Sequence, residues 1–193
     1  MNEVFDSDRI ESAVREILEA IGEDPNRNGL QETPARVARM YKEICSGMAE
    51  SPDMHLTKTF DVSHDEMVMV RDIPLYSLCE HHMLPFVGIA HLAYIPHEGG
   101  MITGLSKLAR LVDGYSRRLQ VQERLTSQIA TAIQETLKPQ GTLVVVEAEH
   151  FCMSMRGVQK PGTRTITSSV QGIFRDDLST RLEAMRFLEA SRK

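Results

Sequence analysis

The chain has 193 residues, 41% of them hydrophobic, enough to bury a core without disulfide staples. Its 22 Lys plus Arg stand against 27 Asp plus Glu, and the formal charge of -5 argues against broad, sequence-independent binding to nucleic acid. No run approaches the roughly 20 apolar residues that span a bilayer, and the start is acidic rather than signal-like, so a cytoplasmic protein that engages no membrane is expected.

Ile10, Val14, Ile17, Leu18 and Ile21 recur at helical spacing between a Ser7 cap and a Gly22 stop. Glu3, Asp6 and Asp8 stand where the positive end of that helix favours acids. Residues 24–29 carry turn chemistry, and Thr33 with Pro34 makes an N-cap and N1 pair. The second helix then puts Val37, Met40, Tyr41 and Ile44 on one face and runs to Gly47.

From Thr59 the pattern changes. Met67 to Val70, Leu75 to Cys79 and Phe86 to Ile95 are short apolar or alternating runs, broken by Pro74, Pro85 and Pro96, and read as strands. Helical spacing returns in Leu105, Leu108, Leu111, Val112 and Tyr115, and again in Leu125, Ile129, Ile133 and Leu137. Leu143 to Val146, leading into His150-Phe151-Cys152, and Thr163 to Phe174 read as strands, and a helix over about Leu178 to Leu188 closes the chain. Strands in pairs with a helix pair between them predict an α+β domain with an antiparallel sheet.

Three cysteines, Cys45, Cys79 and Cys152, make no disulfide framework; Cys45 reads as core, and the other two have metal-type neighbours. Cys79-Glu80-His81-His82 sets thiolate and imidazole three residues apart, a spacing at which one tight turn points both at a single ion. In a strand, His150 and Cys152 would share a face and could complete the set. Such ligands favour zinc, which lowers the pKa of a bound water toward neutrality, and any spare histidine beside it would serve in acid-base catalysis. Two other readings stay open on these residues alone: core cysteines and histidines, or a four-ligand structural zinc.

A substrate leaves its own marks. Gly104-Leu105-Ser106-Lys107 sets a glycine, a hydroxyl and a cation at a helix start, a place that favours an anion, and Arg110, Arg117, Arg118, Arg156, Lys160 and Arg164 add cations of which about half are solvated surface charge. Gln122-Glu123 opens the next helix, where a carboxylate is favoured by the dipole and can accept paired N–H donors from a purine edge.

Together the segments Ser77-Leu78-Cys79-Glu80-His81-His82, Gly104-Leu105-Ser106-Lys107, Gln120-Val121-Gln122-Glu123-Arg124-Leu125 and His150-Phe151-Cys152 with Met155-Arg156-Gly157 closely resemble type I GTP cyclohydrolase. The resemblance implies the tunnelling fold (T-fold): antiparallel strands and paired helices, preceded by N-terminal helices, with strands joined between subunits into a barrel. A helical region over residues 1–58 and a catalytic domain over 59–193 would follow. It further implies a homodecamer of two pentamers, GTP as substrate, one Zn2+ per subunit, and release of 7,8-dihydroneopterin triphosphate and formate on the way to tetrahydrofolate.

Carried over by motif, Cys79, His82 and Cys152 would hold the zinc, and water activated there would attack C8 of the guanine. His150 would protonate the ring nitrogen and His81 assist ring opening and deformylation. Glu123, with Gln122 adjacent, would read the guanine, while Ser106, Lys107, Arg110 and Arg156 hold triphosphate and ribose, and Glu80 joins the substrate contacts. The long N-terminal extension of some eukaryotic members is not matched, so no regulatory partner is expected. Two rivals belong to other classes. One is a nucleotide-binding module with a structural zinc. The other is another T-fold enzyme, a pterin-forming lyase with mainly histidine ligands or a nitrile reductase with a metal-free cysteine nucleophile.

Overall fold

The structure, a computed structural model, describes residues 5–61, 64–97 and 99–190. Glu3 of the acidic start lies outside them. Helix α1 spans Ser7–Ala20, and its cap is Asp6, whose carboxylate accepts from Arg9 N at 3.0 Å. Ser7 is the first helical residue rather than the cap, because a charged acceptor gains from the helix dipole as well as from the hydrogen bond. Helix α2, Thr33–Ile44, begins at Thr33, one residue before the start at Pro34 that the expected cap pair implies, with Glu32 at the cap position, and ends at Ile44 rather than Gly47. Tighter 3-10 turns over Ser46–Ala49 and Pro52–Thr57 follow and carry Leu56 into the main core.

The remaining elements run β1 (Thr59–Asp61), β2 (Val68–Cys79), β3 (Pro85–Ile95), β4 (Met101–Thr103), α3 (Leu105–Ser116), β5 (Leu119–Gln120), α4 (Gln122–Leu137), β6 (Gly141–His150), α5 (Phe151–Ser154), β7 (Arg164–Gly172), α6 (Ile173–Asp176) and α7 (Leu178–Glu189). Strands β1 and β4 form a small ribbon, and the main sheet has the order β5-β2-β3-β6-β7. All its pairs are antiparallel except the two-residue contact of β5 with β2. The fold is thus mixed α+β with an antiparallel-rich sheet.

Pro74 does not divide β2, contrary to the sequence reading. Among the described residues β2 has one neighbour there, β3, since β5 joins β2 at Leu78 and Cys79, and an edge can spare the missing N–H. A bulge between Val70 and Ile73, with Asp72 in the left-handed region at φ 56°, absorbs the irregularity.

Strand β6 shows how one sheet serves two cores. Val144, Val146 and Ala148 enter the cluster built with Leu75, Phe86, Leu108, Leu111, Ile129 and Ile133, beneath α3 and α4. Leu143 and Val145, on the opposite face, pack with Ala93, Phe174 and Ala184 against α6 and α7. A strand buried on both faces must be apolar throughout, as the Leu-Val-Val-Val run is. Each of these large side chains contributes about 1.5–3 kcal/mol by leaving water. Among the described residues no helix is long and apolar enough to cross a membrane.

Candidate active site

The β2–β3 connection makes the first half of the site. Cys79 N–H donates to Leu84 O at 2.8 Å and Met83 N–H to Cys79 O at 2.8 Å, which closes residues 79–84 into one turn. Met83 takes φ 55°, a left-handed conformation costing a non-glycine residue about 1–2 kcal/mol. The turn brings His82 back beside Cys79, with the cysteine buried and the histidine exposed.

The second half arrives through sheet register, because Phe86 at the start of β3 pairs with His150 at the end of β6. Here the sequence reading needs correction. The strand stops at His150 and the chain turns into α5, so Cys152 sits on a helical turn and does not share a strand face with His150. Glu149 fastens the segment that follows, accepting from Ser154 Oγ at 2.5 Å and Gly162 N at 3.0 Å, bonds that hold its carboxyl below the usual range.

Across 73 positions of sequence, Cys152 Sγ comes to 4.0 Å from Cys79 Sγ. A disulfide would need about 2.05 Å, so these are free thiols. Cys79, His82 and Cys152 each offer a ligand atom, all within 4.8 Å of one another. Tetrahedral zinc with Zn–S near 2.3 Å sets two sulfurs roughly 3.8 Å apart, so donor types and spacing both fit this ion. Burial pushes the Cys152 thiol up, and the neighbouring Cys79 pushes it further; a cation shared by both sulfurs would reverse that balance.

Around this cluster stand most of the expected groups. His81 is exposed, with Nδ1 3.8 Å from Cys79 Sγ. Arg156 donates from Nη1 to His82 Nε2 at 2.9 Å. Glu80 is paired with Arg124, whose hydrogen bond holds the carboxyl below its ordinary value, so its charge is already met within the chain. Arg124, to which the sequence analysis assigns no role, also reaches Gln120 Oε1 at 3.0 Å.

His150 stacks on Phe86 with ring centroids 4.7 Å apart and planes 9° apart. Burial pushes its imidazole below the ordinary value, while the nearby Glu123 carboxylate pulls the other way. Glu123 itself is exposed in the first turn of α4. Gln122 departs from expectation: it is 1% exposed, and its side-chain amide is committed to Val146, Thr165, Thr167 and His150 rather than directed outward to a ligand.

Ser106, Lys107 and Arg110 are not brought to this cluster. They belong to the first half of α3, whose start adjoins Thr103, and Thr103 N donates to Tyr94 Oη near the far end of β3. The other end of α3 approaches the cysteine turn, where Ser77 Oγ donates to Arg118 O at 3.4 Å. Twelve helical residues at 1.5 Å each span about 18 Å, which separates the anion-type helix start from Cys79 within one chain.

A family model described as GTP cyclohydrolase I matches residues 10–189. The chain is 63% identical over 188 residues to GTP cyclohydrolase 1 of Desulforamulus reducens, covering 97% of this chain and 100% of that protein. It is 62% identical over 185 residues to GTP cyclohydrolase 1 of Carboxydothermus hydrogenoformans, covering 96% of each. The protein of the same name from Streptomyces coelicolor is 61% identical over 186 residues, covering 96% of this chain and 92% of that one.

Proposed function

This chain belongs to the GTP cyclohydrolase I family, and on that premise we propose that it converts GTP and water to 7,8-dihydroneopterin triphosphate and formate. The observation that carries the reading is the meeting of Cys79, His82 and Cys152, with His150 and Glu123 alongside. The three ligands would hold one zinc ion per chain. When bound, the ion would supply Lewis acidity that brings a water near guanine C8 toward ionisation at neutral pH.

The protein's own groups divide the remaining work. Glu123, exposed beside His150, would accept the two adjacent N–H donors of the guanine edge, a pattern adenine lacks. His150 would deliver a proton to the imidazole nitrogen as C8 is hydrated; burial disfavours the charged ring that carries this proton, and the nearby Glu123 carboxylate favours it. His81, exposed at the cluster, would move protons during ring opening and loss of formate. Arg156 would turn from His82 toward phosphate when substrate enters.

The triphosphate also needs Ser106, Lys107 and Arg110, which one chain sets apart from its own cysteines. A neighbouring copy would supply them. The outer edge of β7 supports such an assembly: among the described residues β7 pairs with β6 alone and carries Ile166 61% exposed, so it can extend the sheet into a second chain. Closure of this kind would give the barrel and decamer of the family.

The test is incubation of zinc-replete protein with GTP or ATP, following formate release and the fluorescence of the oxidised pterin. GTP should give both signals and ATP neither. Folded, zinc-loaded protein that gives neither signal with GTP would favour the binding-module reading.

A further inference from the structure

Gln122 is buried where α4 meets β6 and β7, and its side chain makes a directed set of bonds. The amide nitrogen lies 3.0 Å from Val146 O, 3.0 Å from Thr165 O and 3.1 Å from Thr167 Oγ1. The amide oxygen lies 2.7 Å from His150 Nε2. Backbone carbonyls only accept, so the nitrogen has to face them; the opposite orientation would press an oxygen against two carbonyl oxygens inside the protein.

The hydroxyls fit the same direction. Thr126 Oγ1 donates to Gln122 O at 2.7 Å and lies 2.6 Å from Thr167 Oγ1. Thr167 therefore gives its hydrogen to Thr126 and is left to accept from the Gln122 amide. With the nitrogen fixed, Oε1 can only accept, and the hydrogen between it and His150 belongs to the imidazole Nε2. This holds for the neutral and the charged ring alike, since charging adds a hydrogen only at Nδ1. Among the described residues no hydrogen bond engages Nδ1, and the Phe86 stack limits rotation of the ring.

We propose that Gln122 is a positioning residue that locks His150 as the Nε2–H form, leaving Nδ1 as the one nitrogen of its ring that takes up and delivers the proton as guanine C8 is hydrated. The inference rests on the reading of the chain as a GTP cyclohydrolase. It also gives Gln122 a different task from the guanine contact expected beside Glu123. The balance is simple: the hydroxyl of water adds to C8, Nδ1 takes up the proton that water releases and passes it to the substrate nitrogen, while Nε2–H stays bonded to Oε1 throughout.

The test joins a spectrum and a variant. In 15N-histidine-labelled wild-type protein without GTP, His150, assigned by its loss in His150→Ala, should show a protonated Nε2 and an unprotonated Nδ1. In Gln122→Met the two nitrogens should move toward averaged shifts; kcat should fall by about 10- to 100-fold, the effect typical of losing an outer-shell partner, with KM for GTP and zinc per chain nearly unchanged. A wild-type ring carrying its hydrogen on Nδ1 would overturn the proposal, and so would Gln122→Met with wild-type kcat. Should that variant not fold, the wild-type spectrum decides alone. Absence of turnover in the wild type would count against the enzymatic reading instead, and the spectrum tells the two failures apart.

Discussion

Cys79 Sγ and Cys152 Sγ lie 4.0 Å apart, held there by two different devices: a closed turn at the end of β2 and a helical turn at the end of β6. Each element fixes its cysteine independently. The meeting of the three residues that could hold a metal ion therefore depends on the pairing of β3 with β6, which sets the two ends side by side.

Removing one thiol should empty the cluster. Cys152→Ala is expected to lose zinc and to lose turnover by at least about 100-fold, more than an outer-shell change would cost, while far-UV circular dichroism stays near wild type because Cys152 is peripheral to the core. Metal analysis of the purified protein checks this. A variant that retains one tightly held zinc per chain would mean that Cys152 is not a ligand.

His150 should behave differently. His150→Ala is expected to keep its zinc and its fold but to lose roughly 10²- to 10⁴-fold in kcat, the range for a missing acid-base group. Single-turnover formate release would locate the loss in the chemical step, and an unchanged rate there would remove His150 from the mechanism.

If α3 serves a neighbour's site, two inactive variants should rescue each other. Lys107→Ala and His150→Ala, unfolded and refolded together in equal amounts, should recover up to about a quarter of wild-type activity, the fraction of sites that draw both intact residues from a random mixture. Each variant refolded alone sets the baseline. Recovery no greater than the mean of the two baselines would place both residues in a site built from one chain.

At the C-terminus, Asp177 caps α7, accepting from Thr180 N at 2.7 Å and from the hydroxyls of Ser179 and Thr180 at 2.6 Å each. These bonds, led by that from Ser179, lower its pKa from 3.8 to about 2. A depressed folded value means stability present above the unfolded value and lost as pH falls through the folded one. The Tm gap between wild type and Asp177→Asn should be steady from pH 7 to about 5, narrow below pH 4 and close near pH 2. A gap independent of pH would show that the carboxylate charge is not what caps the helix.

Residue types and local spacing made much of the site legible. Thiolate and imidazole at Cys79 and His82 need only a turn to meet, and the turn formed. The second pair was found for its chemistry but given the wrong local structure: no periodicity announces that β6 ends at His150, so Cys152 was assigned a strand face that it does not have. Gln122 was beyond local reading altogether, since its partners Val146, Thr165 and Thr167 come from two strands that lie well downstream. Pro74 misled in the opposite sense, because whether a proline breaks a strand depends on the neighbour it would have bonded, and among the described residues β2 lacks one there.

The most direct test of the whole account is a zinc titration of chelator-treated wild-type protein, with formate release from GTP measured at each step. Turnover should rise from near zero in proportion to bound zinc and level off at one ion per chain. Undiminished formate release from zinc-free protein, or none at one zinc per chain, would contradict it.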